Sequence, residues 1–147
     1  MKLIQYRDIQ PYKYMLSKEF SCVVPESLRP KVSISICDEN GTPRIRLTPA
    51  GTLFIHAGYI WDGASGPTLD DGSNMVPALQ HDAFYQLMRE GLLPQSWRKP
   101  VDEYFYEMLK VHGMGTFRAW YYYRSVRMFG GKSARRQNDG KYKIYHA

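Results

Sequence analysis

His81, Asp82 and Tyr85 stand together in the run His81-Asp82-Ala83-Phe84-Tyr85, and Asp102 follows the histidine by 21 residues. An imidazole held by a carboxylate is a common general base near neutral pH, because the carboxylate fixes the tautomer and raises the basicity of the far ring nitrogen. His81, Phe84, Tyr85 and Met88 recur at helical spacing, so the histidine shares one helix face with two aromatics and a methionine. Asp102, Phe105, Tyr106 and Leu109 repeat that spacing, which sets a carboxylate on an apolar stripe where an unpaired charge would be costly. The two stripes are expected to face each other, with the His81 ring donating to Asp102. Tyr85, one turn from His81, is placed to donate its hydroxyl to the same carboxylate. His81, Asp102 and Tyr85 are therefore the candidate catalytic residues.

Asp82 lies about 100° round the helix from His81 and points to the edge of the stripe. There it meets the preceding loop, Asp62-Gly63-Ala64-Ser65-Gly66-Pro67-Thr68, which is rich in oxygen donors. A hard cation such as calcium suits mixed carboxylate and carbonyl ligands, with Asp82, Asp62, Ser65 and Gly66 as the candidate set. Such an ion would polarise an ester carbonyl while His81 takes a proton from the attacking water. The expected chemistry is metal-assisted hydrolysis.

The elements that position these residues can be read from periodicity. Val32–Ile36 alternates apolar and polar, Asp38-Glu39-Asn40-Gly41 supplies a turn, and Arg44–Leu47 alternates again, which predicts a hairpin. Leu53–Ala57 and Tyr59–Trp61 read as further strand interrupted by Gly58, and Phe20–Val24 as a short strand closed by Pro25. Helical signals follow the loop. Ser73 or Asn74 can cap, Pro77 suits a first turn, and a helix runs from Ala78 to Glu90 with Gly91 as its stop. A second helix is expected over Val101–His112, ended by Gly113, and a third over Phe117–Phe129, capped by Thr116 and ended by Gly130-Gly131. On the third, Phe117, Trp120 and Tyr121 are expected to pack in the core, with Arg118, Arg124 and Arg127 snorkelling to solvent. Lys132–Ala147 has no periodic pattern and reads as a basic tail.

Four ordered motifs, Trp61-Asp62-Gly63-Ala64-Ser65-Gly66-Pro67, His81–Tyr85, Val101-Asp102-Glu103-Tyr104-Phe105 and Tyr123–Gly130, resemble the DUF1353 family of bacteriophage and prophage proteins over roughly residues 50 to 130. That resemblance implies a phage-encoded, virion-associated protein. The pattern His-Asp-x-x-Tyr followed by an Asp on an antiparallel helix is also similar to phospholipase A2, in the compact spacing of parvovirus capsid proteins. It implies His81 as base, Asp82 as calcium ligand, Asp102 as the partner of the histidine and Tyr85 as a supporting donor, with phospholipid or a membrane surface as the substrate side. Other phage virion proteins are the partners implied by the first resemblance.

A chain of 147 residues is long enough for one self-sufficient core. Cys22 and Cys37 make no disulfide framework and have no metal-ligating neighbours, so two buried free thiols are expected, with a single bridge as the alternative. His56, His112 and His146 have no partners at ligand spacing. The N-terminus carries no signal-peptide pattern and no stretch approaches a membrane span, so the reading is a protein made in the host cytoplasm. The net charge of +6 is uneven: residues 110–147 hold nine Lys/Arg and one acid, a local +8, while residues 1–109 come to −2. Nucleic-acid binding through this basic end is the least favoured class, because no known binding motif accompanies it.

These observations predict an α+β protein: a small N-terminal antiparallel sheet followed by two or three helices, as one domain over residues 1–131 with a tail over 132–147. The leading function is a phage-encoded, calcium-assisted ester hydrolase. The alternative is a non-enzymatic phage structural or host-interacting protein in which the same His/Asp constellation holds the helices together.

Overall fold

A computed structural model describes residues 4–9, 13–61, 72–135 and 143–146. The chain has an α+β arrangement: seven of the eight described strands precede the α-helices, and together with the last strand they form two small antiparallel sheets. Strands β1 (Tyr6–Ile9), β2 (Lys13–Leu16) and β7 (Ile60–Trp61) form the first sheet in the order β1-β2-β7. The second has the order β3-β6-β5-β4-β8, from β3 (Phe20–Val23), β4 (Ile34–Cys37), β5 (Pro43–Leu47), β6 (Thr52–Ile55) and β8 (Lys143–His146). The expected hairpin is β4–β5, with Ile34 opposite Leu47 and Ile36 opposite Ile45. Its turn closes on the Asp38 carboxylate, which accepts from the backbone N–H of Asn40 and of Thr42, each at 2.9 Å.

Two departures from the sequence reading concern the sheets. A single sheet was expected, and the strands divide into two because β1, β2 and β7 pair among themselves. The C-terminal segment read as a tail returns to the fold: α4 (Gly131–Ala134) buries Ala134, and β8 pairs antiparallel along β4. A four-residue strand has too little pattern to be recognised alone, and its pairing is non-local.

Helix α1 (Met75–Arg89) lies at the centre. Between Met75 and Met88 only Asp82 is not buried, as expected of a helix with neighbours on every side. Its Leu79, Ala83, Phe84, Leu87 and Met88 join Leu28, Ile36, Ile45, Leu47, Leu53 and Ile55 in one core. Helix α2 (Arg98–Val111) packs on α1, and α3 (Thr116–Phe129) packs on α2 over a second, smaller cluster of Phe105, Leu109, Met114, Ala119 and Tyr122. Gly91 at φ 79° and Gly113 at φ 99° follow α1 and α2, the left-handed positions that let the chain turn out of a helix.

The helices differ from expectation in several details. α1 begins at Met75, three residues before Ala78, and the N-cap of α3 is Gly115 rather than Thr116, which is already helical. α2 begins at Arg98, three residues early, with Pro100 in its first turn, where no intrahelical N–H is needed. Gly130 does not end the helical region, since it is in the right-handed conformation and leads directly into α4. Phe117, Trp120 and Tyr121 are exposed rather than core, because the face of α3 that meets α2 is the one carrying Ala119 and Tyr122.

Candidate active site

The antiparallel pairing of α1 with α2 brings His81 and Asp102 together inside the protein. His81 Nε2 lies 2.7 Å from Asp102 Oδ1, and the Tyr85 hydroxyl donates to the same oxygen at 2.6 Å. All three are buried, with Asp102 at 0 % exposure. Two aromatic rings pack against the imidazole, Tyr85 at 4.1 Å and Phe105 at 4.6 Å between centroids. This packing follows from the helix phase: Tyr85 is one turn after His81 on α1, and Phe105 is the next stripe position after Asp102 on α2.

The other carboxylate oxygen belongs to α3. Arg127 donates from NH1 to Asp102 Oδ2 at 2.9 Å, and Arg98, one turn before Asp102, stands 3.9 Å from that oxygen. Arg98 also donates from Nε to the Tyr85 hydroxyl at 3.2 Å. Its NH2 meets the carbonyls of Val126 and Arg127 at 2.7 and 2.6 Å, satisfying acceptors at the end of α3. Gly130 completes this junction: a Cβ there would approach Val126 O to 2.5 Å and the Tyr85 hydroxyl to 2.8 Å. Asp102 is thus the point where α1, α2 and α3 are tied together.

The electrostatics follow from this packing. Burial alone would push the Asp102 carboxyl up, but the hydrogen bond and charge of His81, then the bonds from Tyr85 and Arg127, outweigh it and hold the group below its ordinary value. Asp102 therefore stays ionised and can only accept. Nε2 of His81 must carry the hydrogen, and Nδ1 is the nitrogen able to exchange a proton. Burial, followed by the Asp102 charge and the hydrogen bond to it, pushes the Tyr85 phenol far above its ordinary value, with Arg98 opposing. Tyr85 is accordingly a fixed neutral donor.

The structure brings together the three candidate catalytic residues and adds Arg98 and Arg127. Arg98 had a local signal, its i,i+4 spacing to Asp102. Arg127 had none, because its contact depends on where α3 ends. Among the candidate metal ligands, Asp82 is half-buried on α1 and is not without a partner. Asp62, Ser65 and Gly66 lie outside the described residues. Within those residues no group of three or more His, Cys, Asp or Glu is placed to hold a metal ion. All four candidate ligands would offer oxygen, the donor type a hard cation takes.

The remaining singled-out residues lie elsewhere. Asn74, a candidate cap, is fully buried at the start of α1 and makes no capping bond; its Nδ2 donates instead to the Tyr122 hydroxyl of α3 at 3.2 Å. His56 stands 3.7 Å from Glu19, and His112 is buried at the end of α2. Cys22 and Cys37 are buried free thiols on strands that are not neighbours. Among the described residues, no helix is long and apolar enough to cross a membrane.

Comparison with known proteins finds no matching family model, no matching curated protein and no matching solved structure. Fold and site together define an α+β protein with a buried His–Asp pair at the junction of three helices.

Proposed function

We propose that this protein is a phage-encoded ester hydrolase of phospholipase-A2-like type, with His81 as general base and phospholipid as substrate. The observation that supports it is the 2.7 Å contact of His81 Nε2 with a buried, ionised Asp102, which leaves Nδ1 as the proton-accepting atom. In the proposed reaction Nδ1 takes a proton from water as the water oxygen bonds to the ester carbonyl carbon. The acyl–oxygen bond then breaks and the proton passes from the imidazolium to the leaving alkoxide. Asp102 steadies the imidazolium while it exists, and Tyr85 steadies Asp102. Asp82 with Asp62, Ser65 and Gly66 would hold a calcium ion, whose contribution when bound would be to polarise the carbonyl and offset the oxyanion. Synthesis in the host cytoplasm and association with the virion belong to the same reading.

The test is release of fatty acid from mixed phospholipid vesicles with calcium or with chelator. The expected result is calcium-dependent release that disappears in His81→Ala and in His81→Gln while both variants remain folded. Wild-type protein inert across several esters and metals would overturn the reading.

A second reading is supported by the number of groups on Asp102. A carboxylate shared by His81, Tyr85 and Arg127 is what a purely structural clasp between helices would require, in a non-enzymatic phage structural or host-interacting protein. On that reading His81→Ala lowers thermal stability and there is no hydrolysis to lose.

A further inference from the structure

Of the ten exposed large apolar side chains among the described residues, five are on α3: Phe117, Trp120, Tyr121, Met128 and Phe129. Four of them, with Arg124, form one stripe. At about 100° per residue Phe117, Trp120, Tyr121, Arg124 and Met128 fall within an arc of roughly 100°, directly opposite the buried Ala119 and Tyr122. From Phe117 to Met128 the stripe runs for about 16 Å. Its ends are the most open: Phe117 is 80 % exposed and Met128 66 %. Trp120 lies between them, its ring 6.3 Å from Phe117 and under the Arg124 guanidinium at 5.9 Å. The charge along this stretch of chain has one sign. Residues 116–135 contain Arg118, Arg124, Arg127, Lys132 and Arg135 and no acid. All of these except Arg127, which is engaged with Asp102, are exposed.

We propose that this face of α3 docks the protein on an anionic lipid surface. An apolar stripe containing Trp and Tyr, with Phe and Met at its open ends, Arg124 within it and Arg118 beside it, matches the boundary between phosphate headgroups and acyl chains. The exposed cations complement the headgroup phosphates, and the arginine stems allow the charges to stay in water while the rings enter. A convex helix face provides no groove for a peptide or a nucleic-acid strand. The proposal concerns binding alone. It goes beyond the hydrolase reading and is measured without turnover, so either can fail separately.

The experiment is co-sedimentation of the full chain with vesicles of phosphatidylglycerol and phosphatidylcholine, or of phosphatidylcholine alone, with Trp emission recorded in parallel. The expected result is salt-sensitive binding to the anionic vesicles and a blue shift of emission that is absent in Trp120→Phe. Phe117→Glu with Met128→Glu, and separately Arg118→Glu with Arg124→Glu, should each weaken binding by about tenfold or more while the melting temperature stays near wild type. Trp120→Ala provides an independent apolar variant should the first pair fold poorly. His81→Ala should bind as wild type does. Unchanged binding in the folded stripe variants would overturn the proposal. So would preference for a single-stranded oligonucleotide over vesicles, or a solution dimer that Phe117→Glu splits into monomers.

Discussion

Asp102→Asn is the most informative change to this site, because it keeps the shape of the side chain while removing its charge and turning one of its two accepting ends into a donor. The carboxylate accepts from His81 and Tyr85 on Oδ1 and from Arg127 on Oδ2. An amide presents an accepting oxygen at one end and an NH2 with two hydrogens at the other, so only one end can replace the carboxylate without change in its partners. With its oxygen toward Tyr85 and His81, the new NH2 would face Arg127 NH1 at 2.9 Å, donor against donor beside a cation. With its oxygen toward Arg127, the NH2 faces Nε2 of His81 and the Tyr85 hydroxyl. That second orientation is satisfiable, since the hydroxyl can turn its lone pairs and the imidazole can move its hydrogen to Nδ1. The favoured outcome is therefore a switched tautomer in an intact fold.

The magnitudes follow. Losing the ionised acceptor from two or three bonds, with new neutral bonds in return, should cost about 1–3 kcal/mol. At this chain length each kcal/mol lowers Tm by roughly 2–5 °C. Asp102→Ala, which leaves Arg127 without its carboxylate, should cost about 3–5 kcal/mol. Ring nitrogen shifts of His81, measured by NMR on labelled protein at a pH where the imidazole is neutral, report the tautomer directly. Hydrogen on Nε2 is expected in the wild type and on Nδ1 in the variant. If His81 is the base, hydrolysis falls by about 10²–10⁴-fold with the fold retained. An unchanged tautomer in Asp102→Asn would refute the assignment of Asp102 as the group that orients His81.

Three further outcomes can be checked by ordinary melts. Tyr85→Phe removes one donor from Asp102 and the acceptor of Arg98, for a loss of about 1–2 kcal/mol by chemical denaturation. Gly130→Ala places a methyl against Val126 O and the Tyr85 hydroxyl and should cost about 1–3 kcal/mol, although its backbone conformation is ordinary; an unchanged midpoint would contradict the close packing of that junction. Stability should fall on acidification. Asp102, His56 and His112 all titrate below their ordinary values in the folded protein, so the unfolded chain binds more protons: the histidine contributions are full above about pH 6.5 and are lost as pH falls below it, and that of Asp102 is lost from about pH 3.8 downward. Burial is the leading cause for both histidines. A Tm that rises from pH 7 to pH 5 would contradict this sign.

What was legible in the sequence was local. The His81 and Asp102 stripes could be phased because each needs only the period of its own helix, and burial of an unpaired carboxylate is costly enough to force the two to meet. The β4–β5 hairpin was legible for the same reason, from alternation and an Asp-initiated turn. What failed depended on tertiary placement. Asn74 has the preferences of a cap, but the hydroxyl of Tyr122, far along the chain, draws its side chain away. Periodicity divides α3 into faces without saying which one is covered, and the face with Phe117 and Trp120 is the one left exposed. Arg127 reaches Asp102 only because Arg98 and Gly130 fix the end of α3 against Tyr85.

Arg127 bears directly on why a histidine is present. Its guanidinium already matches the charge of Asp102, and Tyr85 already donates to Oδ1, so the carboxylate would remain neutralised and bonded on both oxygens without an imidazole. A clasp between three helices could be built with an apolar residue at position 81 at a cost of little more than one hydrogen bond. What His81 alone adds is a second ring nitrogen, held in place by two aromatic rings and given its tautomer by a carboxylate that cannot donate. Arg127→Met separates the two uses. If the site is only a clasp, the variant should lose stability and nothing else. If His81 is a base, hydrolysis should also fall in the folded variant, because the carboxylate that orients its ring has lost one of its own anchors.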